Sequence, residues 1–221
     1  MRFMLFVCCL LPFVLNAQIQ QNPDEKHPTS QPSTPEEQEI IMGEGPMEND
    51  PEVMKLRGDE TFDESHTTEN WSNHKKDEYE VAFPKEWELD VSGTMGTSFF
   101  IFSPLENDSD DFRENMNLHI QDLNGAQVTM DEFVDATDGF LAKAITDYKL
   151  DFSKRGTQNG REIQHFSYFG TQGSYNLQFE QQAYLANGKS YILTFTRKIG
   201  SPSEFQKIAT EIFKSFKITD Q

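Results

Sequence analysis

From Tyr79 onward, apolar and polar residues alternate over much of the chain with a period of two, the period of strands whose side chains point to opposite faces in turn. Tyr79, Val81 and Phe83 point one way, and Pro84 then halts the ladder because it has no N–H to donate. Trp87, Leu89 and Val91 predict a second short strand. After a turn at Gly93 and Gly96, residues 98–102 are apolar at most positions, as in a strand covered on both sides. Met116, Leu118 and Ile120 alternate with Asn117, His119 and Gln121. Two Asn-Gly pairs mark tight hairpins, because both residue types tolerate positive φ. Asn159-Gly160 joins strands predicted at 151–157 and 161–169, and Asn187-Gly188 joins strands predicted at 176–185 and 189–197. The sheet is therefore expected to be largely antiparallel.

Two stretches change to helical spacing. In Thr129-Met130-Asp131-Glu132 the threonine hydroxyl can accept the Glu132 N–H while the Glu132 carboxylate reaches back, and Phe133, Phe140, Leu141, Ala144 and Tyr148 follow on one face. This helix is expected to run to about residue 149. Ser201-Pro202-Ser203-Glu204 repeats the start signal with proline at the first helical position, and Phe205, Ile208, Ala209, Ile212, Phe213 and Phe216 share a face. An antiparallel sheet is the surface large enough to receive both stripes, so the expected class is α+β, a largely antiparallel β-sheet flanked by helices.

The first 78 residues read differently. Arg2, the apolar residues 3–15 and the small residue closing Leu15-Asn16-Ala17 predict a signal peptide over 1–17, cleaved after Ala17. Its apolar run is shorter than the roughly 20 residues that span a bilayer. An exported protein, periplasmic or extracellular after cleavage, is the expected localisation. Residues 18–78 carry 16 Asp and Glu against 5 Lys and Arg, hold six prolines and have Phe62 and Trp71 as their aromatics. Such a tract buries too little apolar surface to offset the entropy of ordering it, so it is expected to be an acidic disordered linker. A short interaction motif around Ile40-Ile41-Met42, or over 53–56, is the sharper reading of the same tract. Residues 79–221 hold 22 aromatics and form the expected domain. At roughly 140 residues it can bury close to 70% of the surface its unfolded chain exposes.

Charge and cysteine usage narrow the chemistry. The chain's net charge of −18 divides into −11 over 18–78 and −8 over 79–221, with Arg2 making up the sum. A domain at −8 repels phosphates, so neither nucleic acid nor an anionic membrane surface is an expected partner. Both cysteines, Cys8 and Cys9, lie in the leader, so the mature chain offers no disulfide, thiol nucleophile or thiolate ligand. Of the histidines, His27, His66 and His74 fall in the acidic tract without metal-ligand spacing, and His165 reads as a partly buried histidine bonded to a neighbour. No serine sits in a nucleophile-elbow sequence, and Gly93-Thr94-Met95-Gly96 lacks the lysine and following helix of a phosphate loop. No enzyme, no cofactor and no metal-ligand set is expected. The nearest approach to a metal site is 106–111, where Asp108 and Asp110 have the spacing of the first ligands of a calcium loop, but no glycine turn follows and the twelfth position is His119.

The opening Tyr79-x-x-x-Phe83-Pro84-x-x-Trp87, the apolar strand ending in Ser103-Pro104, the central helix and the closing Phe213-Lys214-Ser215-Phe216 resemble the PsbP-like superfamily, and most of all its bacterial DcrB-type exported members. The resemblance covers about 79–218 and departs where Glu86 stands in place of a frequent glycine before the tryptophan. It implies an α/β/α sandwich around an antiparallel sheet and an accessory role, and it supplies no catalytic residues. One feature of the residues themselves points to binding. Asn117, His119 and Gln121, then Gln164, Phe166 and Tyr168, then Asn176, Gln178, Glu180, Gln182 and Tyr184, then Thr194 and Thr196 occupy strand positions opposite those read as core. Amides, hydroxyls and rings of this kind satisfy a polar ligand or a protein surface without the desolvation cost of full charges. They also suit cross-strand pairing beneath a helix. The expected binding residues are Asn117, His119, Gln121, Gln178, Glu180 and Gln182. The expected function is an exported, non-enzymatic accessory or binding module that engages an envelope protein or a small polar ligand, with a Ca²⁺ module built on 106–111 as the alternative.

Overall fold

The computed structural model describes residues 70–219, and the expectations for the leader and for the acidic tract up to residue 69 lie outside them. Ten strands and two helices follow in order: β1 (Trp71–Lys75), β2 (Tyr79–Pro84), β3 (Glu88–Asp90), β4 (Phe99–Phe102), β5 (Asn115–Asp122), α1 (Met130–Ala144), β6 (Thr146–Gln158), β7 (Arg161–Gln172), β8 (Tyr175–Ala186), β9 (Lys189–Lys198), α2 (Ser203–Ser215) and β10 (Lys217–Ile218). Seven strands form one sheet in the order β3-β4-β5-β9-β8-β7-β6, and β1-β2-β10 form a small second sheet. All of the described ladders are antiparallel. The expected α+β class with a largely antiparallel sheet is what the chain adopts.

The large sheet has a core on each face. Leu193 and Phe195 of β9, with Met116 and Leu118 of β5, pack with Ala209, Ile212 and Phe213 of α2 and with Tyr79, Val81 and Phe83 of β2. Ile192, the residue beside Leu193, belongs to the other cluster, with Phe166, Tyr168, Leu177, Phe179 and the α1 residues Met130, Phe133 and Leu141. Since neighbouring strand residues point to opposite faces, α1 and α2 cover opposite sides of the sheet.

Local chemistry sets the ends of these elements. Thr129 and Glu132 form the expected capping box, the Glu132 N–H donating to Thr129 Oγ1 and the Thr129 N–H donating to Glu132 Oε2. The helix stops at Ala144 rather than near 149, because β-branched Ile145 and Thr146 favour extended backbone and Asp147 sits at φ 54°. Tyr148 therefore lies on β6, with its ring 5.6 Å from that of Tyr168. Gly170 faces this junction, and a Cβ there would lie 2.1 Å from Ile145 Cγ2. Ser201 does not cap α2; its hydroxyl donates to the Lys198 carbonyl, and the position before the helix is Pro202, which has no side-chain cap.

The domain's expected start at 79 moves toward the N-terminus. Trp71–Lys75 pairs in register with β2, from Trp71 opposite Pro84 to Lys75 opposite Glu80, and Trp71 packs on the α2-side core. His74 is thus a strand residue rather than part of a linker, with its ring near Tyr79 and Phe99. Burial holds its pKa below the ordinary histidine value, with the Lys76 charge acting in the same direction.

Candidate functional site

Register decides which of the expected binding residues share a face. Asn117 lies opposite Thr194, which lies opposite Gln181; His119 lies opposite Ile192, which lies opposite Ala183. Ile192 and Ala183 belong to the α1-side core, so Asn117, His119 and Gln121 project toward α1. Glu180 lies opposite Phe195 and Gln182 opposite Leu193, both α2-side core residues, so Gln178, Glu180 and Gln182 project toward α2. The single polar face expected from the sequence is therefore two polar strips on opposite faces. Gln164, Phe166, Tyr168, Thr194 and Thr196 belong to the α1 side; Asn176 and Tyr184 belong to the other.

The α2-side strip is closed on itself by hydrogen bonds. Gln178 Oε1 accepts from Arg197 Nε at 2.8 Å and from its second nitrogen at 2.6 Å, while Gln178 Nε2 donates to Ser167 Oγ at 3.0 Å. Glu180 Oε1 lies 2.6 Å from His165 Nε2, and its Oε2 accepts from Gln206 Nε2 of α2. Gln182 Oε1 accepts from the Tyr184 hydroxyl at 2.9 Å. Phe152 of β6 meets the His165 ring edge-on at 4.9 Å. His165 has the neighbour-bonded setting expected of it. Arg197, Ser167 and Gln206 carry no local signal as partners, because each stands on a different element and is brought to β8 by strand register or by the packing of α2.

The seam between β5 and β9 on the α1 side is built differently. Asn115, His119, Thr194, Thr196 and Ser190 are all buried there. Thr194 Oγ1 accepts from Gln181 Nε2 at 3.0 Å, and Asn115 Nδ2 donates to the Arg113 carbonyl. Yet Asn115 Oδ1, His119 Nδ1, Thr196 Oγ1 and Ser190 Oγ have no hydrogen-bond partner within the protein, nor does Thr137 Oγ1 in the buried stripe of α1. Each such buried group costs on the order of 1–3 kcal/mol if left unpaired. Burial also pushes the His119 pKa below the ordinary histidine value, so the ring favours its neutral form. Phe100 and Phe102 of β4 stack on the same side at 5.3 Å, and among the described residues Phe100 belongs to neither core cluster although it is buried.

A second buried polar group lies at the entry to β5. Glu114 is 1% exposed, and its Oε1 accepts from the Lys198 N–H at 3.3 Å. Burial raises its pKa above the ordinary carboxylate value. No sequence signal marked it.

In the acidic loop the side chains shape the backbone. Asp110 accepts N–H groups from Glu106 and Phe112 at 3.0 and 3.1 Å, and Asn107 Oδ1 accepts the Ser109 N–H at 3.0 Å. Asp111 pairs with Lys198 at 2.9 Å, and this bond holds its carboxyl below the usual range. Among the described residues no group of three or more His, Cys, Asp or Glu is arranged to hold a metal, and no helix is long and apolar enough to cross a membrane.

A seven-stranded antiparallel sheet with one helix on each face matches the PsbP-like fold. Its solved likenesses include cyanobacterial PsbP (CyanoP) from Synechocystis sp. PCC 6803, 15% identical with a TM-score of 0.53, covering 68% of this chain and 93% of that one. PA94 from Pseudomonas aeruginosa, a protein of unknown function, is 10% identical with a TM-score of 0.51, covering 69% and 99%. At these identities the likeness is one of fold. No protein-family model and no curated protein matches the sequence.

Proposed function

We propose that this chain is an exported, non-enzymatic accessory or binding module of the DcrB type, and that it engages an envelope protein or a small polar ligand through the β5–β9 seam. The observation that carries this reading is the row of buried polar atoms without partners at Asn115, His119, Thr196 and Ser190. Native folds pair more than nine in ten buried polar groups, and clustered exceptions mark places where stability is given up for another purpose. The α2-side strip, where Gln178, Glu180 and Gln182 already have partners, has less to offer a ligand. The leader over 1–17 supports export.

A photo-crosslinking residue placed at Asn117 in one variant and at Gln178 in another tests the choice of face in the intact envelope. Specific adducts from position 117, and none from 178, are expected. Adducts from position 178 alone would transfer the binding role to the other strip, and adducts from neither would remove it from the sheet.

A further inference from the structure

The two ends of the large sheet are unlike. β3 closes one end with three residues, and β6 closes the other with thirteen. A sheet edge presents unpaired N–H and C=O groups on which another chain can add, and brevity guards β3 against this. In β6 the guard covers half of the strand. Its register with β7 shifts between Thr146 and Lys149 and again between Leu150 and Phe152, and Asp147 sits at φ 54°. From Phe152 opposite Ser167 to Gln158 opposite Arg161 the pairing then runs unbroken, and residues 153–157 are all exposed.

The hairpin fixes which backbone groups face outward. Asn159 and Gly160, at φ 50° and 73°, form a two-residue turn, so Gln158 and Arg161 exchange both backbone bonds and every second residue before Gln158 does the same with β7. Ser153, Arg155 and Thr157 therefore direct N–H and C=O away from β7, where no strand among the described residues meets them. Phe152 touches the His165 ring and Lys154 lies opposite His165, so both side chains are on the α2 side. Residues 152–158 carry Lys154 and Arg155 and no carboxylate, although the net charge over 79–221 is −8. Arg155 pairs with Asp131 at 2.7 Å and Glu162 at 2.9 Å. Lys154 Nζ instead lies 5.3 Å from the centre of the Phe152 ring and, among the described residues, pairs with no carboxylate.

We propose that the outer edge of β6 over 152–158 takes an extended acidic segment of a partner protein as an eighth strand. A carboxylate of that segment meets Lys154, and an apolar side chain two positions away meets Phe152, because alternate residues share a face. Backbone bonds to residues 153, 155 and 157 supply the attachment. A second copy of this chain fits less well. Two such edges set antiparallel bring Lys154 and Arg155 of each beside those of the other, and a slide toward 146–151 meets the bulges. This edge is separate from the β5–β9 seam, so the two readings stand or fall independently.

The full chain is titrated with the end-blocked peptide Thr-Val-Thr-Glu-Thr-Val-Thr, which sets glutamate between valines in either strand direction, and with the same peptide carrying lysine for glutamate. With the glutamate peptide, the amide resonances of Ser153, Arg155 and Thr157 should shift and their hydrogen exchange should slow. The glutamate peptide should bind at least about fivefold more tightly than the lysine peptide, and Lys154→Glu should reverse that order. Thr157→Pro removes an outward N–H and leaves the β6–β7 ladder intact, so it should weaken both peptides with little change in melting point. Binding of neither peptide, equal binding of both, an order that Lys154→Glu leaves unchanged, or native binding by Thr157→Pro overturns the inference. Shifts confined to β5 and β9 also overturn it. Shifts at 153, 155 and 157 that grow with protein concentration alone would give the edge to a second copy instead.

Discussion

Gln178, Glu180 and Gln182 on β8 and Asn115, Asn117 and His119 on β5 are drawn from similar polar side chains, yet the two strips differ in how they use them. Toward α2, the bonds run Arg197 to Gln178 to Ser167 and His165 to Glu180 to Gln206, tying β7, β8, β9 and α2 together. Toward α1, buried atoms of Asn115, His119, Thr196 and Ser190 are left over. Composition alone therefore does not say which polar strip is closed on itself. That depends on whether each donor and acceptor already has a partner, which register and helix packing decide.

The α2 side is sealed further by the small sheet, and breaking that seal should have the largest effect. A chain beginning at Asp77 lacks β1 and with it Trp71, which packs on the α2-side core; a chain beginning at Asn70 retains both. Trp71 is partly buried, so its loss should cost less than the roughly 3–5 kcal/mol of a core tryptophan, and the lost β1–β2 ladder adds to it. The shorter chain should therefore unfold at clearly lower denaturant than the longer one. Equal midpoints would show that β1 adds nothing and that the two faces are not closed to different degrees.

Within the α2-side strip, Glu180→Ala should cost about 1–3 kcal/mol, because it leaves His165 Nε2 and Gln206 Nε2 without the oxygens they now meet. The loss stays near that of an ordinary buried hydrogen-bonded group because the His165 side chain is 28% exposed and water can replace part of the contact. Equilibrium unfolding of this variant beside Asn117→Ala checks the contrast. The Asn117 change should stay within about 0.5 kcal/mol of the native chain. A larger loss at Asn117 than at Glu180 would reverse the assignment of which strip serves the fold.

Much of the fold was legible because its determinants are local. The two Asn-Gly turns, the Thr129–Glu132 capping box and the apolar stripe of α2 each need a few neighbouring residues, and each appears where the pattern puts it. What the pattern could not carry was the relation between strands. Alternation within β5 separates Leu118 from His119, and alternation within β8 separates Phe179 from Glu180, but neither says that Phe179 and His119 share a side. With a core on both faces, an apolar residue no longer marks one side, and the join is made by the register between β5, β9 and β8. β1 escaped notice for a related reason. Trp-Ser-Asn-His-Lys has one large apolar residue, and its strand form comes from pairing with β2. The unpartnered atoms of the seam are equally a property of the assembled sheet.

The smallest expected effect separates one buried titratable group at the entry to β5 from one along its length. Burial raises the Glu114 pKa, so its folded value lies above its unfolded one. The stability it contributes is fully present below the ordinary glutamate range and is lost as pH rises through the raised value. Burial lowers the His119 pKa, so its contribution is present above about 6.5 and is lost as pH falls through the lowered folded value. Glu114→Gln should therefore gain on the native chain as pH rises from the glutamate range toward neutrality. His119→Leu should gain on it as pH falls below 6.5, provided both are compared with the native chain at each pH so that other groups cancel. Stability curves from pH 4 to 8 for the three chains measure both slopes. Parallel curves for His119→Leu and the native chain would mean that the imidazole is solvated in the folded protein rather than buried between β5 and β9.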